Sequence, residues 1–392
     1  MNSIIALLID AYRELNARKL FWLTLALSLL LVIAFGSIGF NENGVSMLYG
    51  LYEVESPYFV EGSPLSRILY EGIFSYFMIT IWLAWGATIL ALISTTSIFP
   101  DFLASGSVEL VLSKPIRRVT LFIVKYIGAL LFVLFQVTVF CVGVFICIGL
   151  RIGTWDPTVL LGIPLITLFY SYIYCVNVLV GVISRSALAA LLICLLFWFL
   201  MFSVQQASDL VTWAHTDWTM GTESYQQLID NKQKEIEQAE QRLAEADDRS
   251  RERYEHRLES LNDQVSRYTR ESEEQEQRLE TLGAWKNGID TTLWFLPKIA
   301  ATKGLLTRAL EGDSSVTFTD ILTGDFDSTG QQNSRADSFS QGNSRASNER
   351  EKRLRIEAEE RSVSAWWILG TSVAFELVIL IFAAIVFIRR DY

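Results

Sequence analysis

Glu376 is the ionisable residue whose position most restricts its chemistry. It lies in the middle of the apolar stretch from Ala365 to Ile388. A charged side chain at the centre of a bilayer costs about 2.5 kcal/mol or more unless it faces other protein groups or water. Gln136, Tyr172 and Asn177, in other apolar stretches, are candidate partners. Two interpretations stay open: a residue that lines the path of a substrate, or a hydrogen-bonded packing residue, protonated or not.

The chain offers few other residues for catalysis or metal binding. Its two histidines, His215 and His256, lie in unrelated contexts. The four cysteines all fall in apolar stretches, where a thiol behaves as a small hydrophobic residue: Cys141, Cys147, Cys175 and Cys194. No G-x-x-x-x-G-K-[ST] phosphate loop occurs. We therefore expect no active site, metal or cofactor in this chain, and any ATP-driven work must come from another chain.

A compact basic segment, residues 100–125, separates two long apolar stretches. Pro100 can end the first stretch, and Pro115 can break a short helix over Ser107–Leu112 before the next one begins. This arrangement predicts a helix lying flat on the membrane surface, with Glu109 and a basic cluster accessible: Lys114, Arg117 and Arg118. The ordinary excess of positive charge beside membrane spans would also explain the basic residues.

Six apolar stretches are long enough to cross a bilayer, since about 20 residues of helix span a hydrocarbon core of roughly 30 Å. They are Leu20–Phe40, Gly72–Phe99, Leu121–Leu150, Thr158–Ser184, Ala187–Val204 and Ala365–Ile388. Residues 1–19 mix acids and bases and do not resemble a cleavable signal peptide. The prediction is an all-α polytopic membrane protein with six transmembrane helices.

The basic residues of the short loops predict the orientation, because Lys and Arg collect on the cytoplasmic side. Four groups fall on one side: Arg13, Arg18 and Lys19; Lys114, Arg117, Arg118 and Lys125; Arg185; and Arg389 and Arg390. Both termini are therefore predicted to be cytoplasmic and residues 205–364 extracytoplasmic. The lack of targeting peptides favours a prokaryotic plasma (inner) membrane.

The composition combines a membrane protein with an acidic soluble region. The formal net charge of 392 residues is -10, whereas the mean hydropathy is +0.31. The acidic excess falls almost wholly within residues 205–364. Such a surface argues against nucleic acid as a partner, because phosphates require a basic face.

The segment from Ser224 to Leu282 is predicted to be a coiled coil. It lacks Gly and Pro, its apolar residues alternate in steps of three and four, and Ser224 with Gln227 resembles a capping box. Gly283 is the predicted stop. The register slips after Ala246, so one helix of roughly 85 Å or a hairpin turning near residues 247–250 would fit, and we favour the hairpin. Two roles fit this segment equally well: a solvated spacer, or a docking surface for an extracytoplasmic protein.

Three shorter segments complete the extracytoplasmic region. Thr292–Leu310 is amphipathic and is expected to lie along the outer membrane surface. Asp325–Asn348 has too few apolar residues to fold and is predicted to be a flexible linker. A charged helix over Glu349–Arg361 should lead to an interfacial aromatic pair, Trp366 and Trp367.

The string SGSVELVLSKPIRRVTLFIVKYIG resembles the cytoplasmic loop of type-2 ABC exporter permeases, including the branch associated with copper-enzyme maturation and gliding. The matching residues are Gly106, Glu109, Lys114, Pro115, Arg118 and Lys125. Six spans with cytoplasmic ends and an amphipathic helix at Ser3–Arg18 are also similar to that family. The large insertion before the last span departs from its compact members, so substrates are not transferred.

The resemblance implies a homodimer or pseudo-dimer of permeases that carries two cytoplasmic ATPase subunits, which bind ATP and Mg²⁺. The loop, with Arg117 beside the matching residues, would be the coupling site. Three functions stay open: a permease that exports a substrate, a mechanotransmitter that moves the external coil to act on an exported partner, or a membrane-anchored coiled-coil scaffold without an ATPase.

Overall fold

The computed structural model describes Arg13 and residues 19–104, 117–311 and 343–389. Among these residues, six helices are long and apolar enough to cross a membrane, and they are numbered here as spans 1 to 6: Lys19–Gly36, Leu65–Leu103, Arg118–Ile152, Pro157–Ser184, Ala187–Ala244 and Ala365–Arg389. The chain is therefore a predominantly helical, multi-pass membrane protein, as predicted. Apart from Arg13, the helix predicted at Ser3–Arg18 lies outside the described residues. So do four residues of the predicted coupling loop: Gly106, Glu109, Lys114 and Pro115.

Span 2 begins earlier than the hydropathy pattern predicted. Ser63 caps its first helix, Pro64–Ile73, through a hydroxyl that accepts from the Ser66 amide, and proline suits the first helical position. A π-helix over Phe74–Ala87 follows, then the helices Thr88–Thr95 and Ile98–Ala104. The start was missed because Arg67 and Glu71 make this turn polar, and they pair with each other across 2.7 Å.

A three-stranded antiparallel sheet, absent from the prediction, follows span 1. Its strands are β1, Gly39–Asn41; β2, Gly44–Met47; and β3, Tyr52–Glu55. Gly44 turns the chain between β1 and β2 with φ of 146°, and a Cβ there would lie 2.2 Å from the Val54 oxygen. Only glycine fits this position.

The chain divides into two compact units. The membrane unit comprises residues 1–202, 296–338 and 365–392, and the helical unit comprises residues 203–295 and 339–364, each as far as it is described. In the membrane unit spans 3, 4 and 6 pack together and span 1 packs on span 3. Arg151 joins spans 1 and 3, because its Nε donates to the Gly36 oxygen across 2.7 Å.

The helix Ile299–Glu311, called the lateral helix below, belongs to the membrane unit. The amphipathic segment predicted at 292–310 is thus divided: its first residues end the helix Asp248–Phe295, and the rest packs on spans 4 and 6. Thr302 and Leu306 are fully buried. The buried stripe of this helix faces protein, and its position along the membrane surface stays a prediction.

The helical unit is built on a hairpin. The helix Ala187–Ala244 is followed at residues 245–247 by a turn and then by Asp248–Phe295. Contacts across the hairpin pair rising with falling residue numbers: Trp218 with Arg278 at 5.0 Å, Tyr225 with Tyr268 at 6.3 Å, and Glu235 with Arg257 at 3.9 Å. The two helices are therefore antiparallel, and the turn lies close to its predicted position.

Three predicted helix ends in this unit are wrong. Ser224 is no N-cap, because the helix runs through it and its hydroxyl donates to the Met220 oxygen. The second helix passes Gly283 and ends at Phe295. The third helix, Asn343–Ser362, begins before Glu349, so residues 343–348 of the predicted linker are helical; residues 325–342 lie outside the described residues.

Candidate functional site

Glu376 lies in the buried stripe of span 6. The buried residues of this span recur at steps of four and seven, as expected for one face of a helix: Ile368, Ser372, Glu376, Ala383 and Phe387. Glu376 is 8% exposed, whereas Val378, on another face, is 65% exposed. Glu376 follows Ala365 by eleven residues, which places its Cα about 16 Å along the span, near the middle.

Two hydroxyl groups from two other spans hold the carboxyl. The Tyr126 hydroxyl of span 3 lies 2.6 Å from Glu376 Oε1, and Ser171 Oγ of span 4 lies 2.9 Å from Oε2. Ser171 and Tyr126 are themselves buried. Glu376 therefore connects spans 3, 4 and 6 at one point within the membrane unit.

Further polar groups lie near Glu376, where the start of the lateral helix meets spans 4 and 6. The amide of Lys298, just before this helix, donates to Ser372 Oγ across 2.9 Å. The Tyr172 hydroxyl of span 4 lies near Ser372, Thr302 and Glu376, but it is buried without a hydrogen-bond partner among the described residues. Ser372 precedes Glu376 by one helical turn, so these hydroxyls continue the site along span 6 towards Ala365.

The three predicted partners of Glu376 do not bind it directly. Tyr172 is its close neighbour, but Asn177 Nδ2 donates to Thr96 Oγ1 across 2.8 Å. Gln136 Nε2 donates to the Phe21 oxygen across 3.3 Å. The actual partners, Tyr126 and Ser171, were missed because several hydroxyls lie on these spans, and the rotation of each helix decides which of them faces span 6.

A second polar site in the membrane unit surrounds a small cavity. The Tyr170 hydroxyl lies 2.6 Å from Thr95 Oγ1, and Tyr170 lines a cavity of about 20 Å³ together with Thr24, Ser28 and Gln136. This volume admits a single water molecule.

Three of the predicted coupling residues are described, and they lie at or near the start of span 3. Arg117 is the exposed residue before span 3. Arg118 Nη1 donates to the Ile388 oxygen of span 6 across 3.0 Å, and Lys125 Nζ lies 5.5 Å from the centre of the Phe102 ring. Arg118 thus caps the end of span 6, so the accessible basic cluster that the sequence predicted does not leave its guanidinium free.

The helical unit contains an ion-pair cluster that joins its third helix to the hairpin. The Lys352 side chain is 3% exposed; its Nζ lies 2.7 Å from Asp217 Oδ1 and 3.6 Å from the centre of the Trp213 ring. Arg355 donates two hydrogen bonds to Glu223, of 2.9 and 2.7 Å. These hydrogen bonds hold the pKa of Glu223 below its usual value.

Comparison of the chain with protein-family models, curated proteins and solved structures finds no match. Among the described residues, no group of three or more His, Cys, Asp or Glu side chains could hold a metal ion. Among the described residues of the membrane unit, Glu376 is the acidic residue whose side chain is buried.

Proposed function

We propose that this chain is the transmembrane permease subunit of an ATP-binding cassette transporter of the exporter type, in a prokaryotic plasma membrane. Both termini are cytoplasmic in this proposal, and the helical unit is extracytoplasmic. The observation that carries it is the hydrogen bond from Arg118 to Ile388, 3.0 Å long. This hydrogen bond joins the start of span 3, next to the proposed coupling loop, to the end of span 6.

The proposed mechanism uses the connections between spans. A cytoplasmic ATPase subunit that closes on ATP would press on the loop at residues 100–125. Tyr126 lies two turns, about 12 Å, beyond Arg118 in the same helix, and its hydroxyl holds Glu376. Since Ser171 holds the same carboxyl, the force would reach spans 3, 4 and 6 as a unit.

The proposal assigns the hydrolysis of ATP to a partner, because the sequence has no phosphate loop. Two permease chains, identical or related, would carry two ATPase subunits, which bind ATP and Mg²⁺. The chain itself would be no enzyme, and its other partners would be the lipid membrane and an extracytoplasmic protein.

A second candidate function is mechanotransmission, in which the ATPase moves the helical unit and no substrate crosses the membrane. The close packing within the membrane unit favours it. Tyr70, Tyr170, Tyr172 and Tyr174 are fully buried, and the cavity beside Tyr170 measures only about 20 Å³. A path for a substrate would then have to form by movement of the spans or between two copies of the chain.

Purification of the full-length tagged chain from its native membrane in lipid nanodiscs tests the proposal. We expect a separate protein with a phosphate loop to co-purify at a fixed ratio and to hydrolyse ATP. A functional complex without any nucleotide-binding protein would contradict both candidates and favour the membrane-anchored scaffold.

Spin labels on the helical unit and on the membrane unit test mechanotransmission in the same complex. Mechanotransmission requires that ATP binding change the distance between a label at Leu228, in the helical unit, and one at the exposed Leu51, in the membrane unit. An unchanged distance throughout the ATPase cycle would contradict a movement of the helical unit.

A further inference from the structure

The contacts around Glu376 need one hydrogen more than an ionised carboxylate leaves available. Tyr126 lies 2.6 Å from Oε1, and Ser171 Oγ lies 2.9 Å from Oε2. Ser171 Oγ also lies 2.9 Å from the Leu168 oxygen, one turn earlier in span 4. These are three hydrogen bonds, but the Tyr126 and Ser171 hydroxyls carry one hydrogen each.

The missing hydrogen belongs on the carboxyl group. The Leu168 oxygen and a carboxylate oxygen can only accept, so with Glu376 ionised Ser171 could satisfy one of them and not both. With Glu376 as a neutral acid, Oε2–H donates to Ser171, Ser171 donates to Leu168, and Tyr126 donates to Oε1. Tyr126 also lies 3.5 Å from the Ser171 oxygen, too long to compete with the bond of 2.6 Å.

The charges around the site agree with a neutral acid. Besides Tyr126 and Ser171, the groups close to Glu376 are the Tyr172 hydroxyl and the Cys175 thiol of span 4. Among the described residues, no lysine or arginine forms an ion pair with Glu376. An ionised carboxylate here would have no counter-charge within the membrane, where such a charge is costly.

We propose that Glu376 is a proton-binding site, and that the bound proton joins span 6 to span 4. The dissociation is simple: the Oε2–H bond breaks, the proton leaves to water, and the carboxylate keeps the electron pair. The Ser171 hydroxyl can then donate its one hydrogen either to Glu376 or to the Leu168 oxygen. The connection between spans 4 and 6 therefore weakens. This inference does not depend on an ATPase partner.

Infrared spectroscopy of the full chain in lipid nanodiscs tests the proposal. At neutral pH the wild-type protein should show a carboxylic acid C=O band that is absent from Glu376→Gln. Raising the pH should convert this band into a carboxylate band in the wild type only. If the only signal lost in Glu376→Gln at neutral pH is a carboxylate band, the proposal is wrong.

Two further variants keep the test decisive if Glu376→Gln fails to fold. Ser171→Ala removes the acceptor of the acid hydrogen, so the acid band should remain and shift to the frequency of a free carboxylic acid. Glu71→Gln is the matched control, since Glu71 pairs with Arg67 across 2.7 Å, and it should leave the acid band unchanged. An unchanged band in Ser171→Ala would overturn the assignment.

Discussion

Arg118 and Ile388 meet where span 3 begins and span 6 ends, with 3.0 Å between Nη1 and the main-chain oxygen. The guanidinium supplies a donor and a positive charge to the carboxyl end of a helix, where the last carbonyls lack helical partners. Arg118 thus stabilises the end of the last span. In the proposed function the same side chain would also transmit movement of the ATPase to this span.

Arg118→Ala should destabilise the membrane unit by about 0.3–1 kcal/mol, the usual worth of a charge at a helix end. In the purified complex it should also lower the stimulation of the ATPase by this chain. Thermal unfolding in nanodiscs and ATP hydrolysis measure the two effects. For thermal unfolding Arg117→Ala, which changes the exposed neighbour, is the control; equal destabilisation by both variants would contradict the contribution of the Arg118 contact.

Leu306→Ala should destabilise the membrane unit by about 2–5 kcal/mol, as expected for a large cavity in a core. Leu306 is fully buried, and its Cδ2 lies 3.3 Å from the position of a Cβ at Gly162. Leu306→Met keeps the volume and should cost less than about 1.5 kcal/mol. Thermal unfolding in nanodiscs measures the effect of both variants. A negligible effect of Leu306→Ala would contradict the packing of the lateral helix against spans 4 and 6.

Lys352→Met should loosen the third helix of the helical unit, Asn343–Ser362, by about 1–3 kcal/mol. The change keeps the apolar stem but removes the charged donor to Asp217 and the cation over Trp213. Hydrogen exchange of the helix amides measures the loss. Arg353→Met, on the exposed neighbour, should leave the exchange rates as they are.

Acidification should release the same helix through Glu223. Because Arg355 lowers the pKa of Glu223 in the folded state, the ion pair contributes its full stability above the ordinary glutamate pKa of about 4.3. That contribution is lost as the pH falls through the lower, folded pKa.

Hydrogen exchange between neutral and acidic pH measures this release. Glu223→Gln should show less of the acid-induced loosening than the wild type, since it lacks the titrating group. Glu237 is an exposed residue of Ala187–Ala244, the helix that carries Glu223. Glu237→Gln should therefore behave as the wild type does. Identical pH profiles for all three proteins would contradict the role of Glu223.

The spans were predictable because length and apolar content are local properties of the chain. The turn of the hairpin was predictable for the same reason, because the repeat of apolar residues changes register after Ala246. The small sheet was missed because its strands have three or four residues, too few for alternation to stand out. The helix at Ser224 was misjudged because a capping pattern also occurs inside helices.

The sequence by itself determined that Glu376 lies within a membrane span and must find polar partners there. Only the tertiary structure decided that Tyr126 and Ser171 are those partners, while Gln136 and Asn177 bond elsewhere. The reason is geometric. Each span carries polar residues around its circumference, and the rotation and depth at which helices pack, set by all their side chains together, select the few that meet.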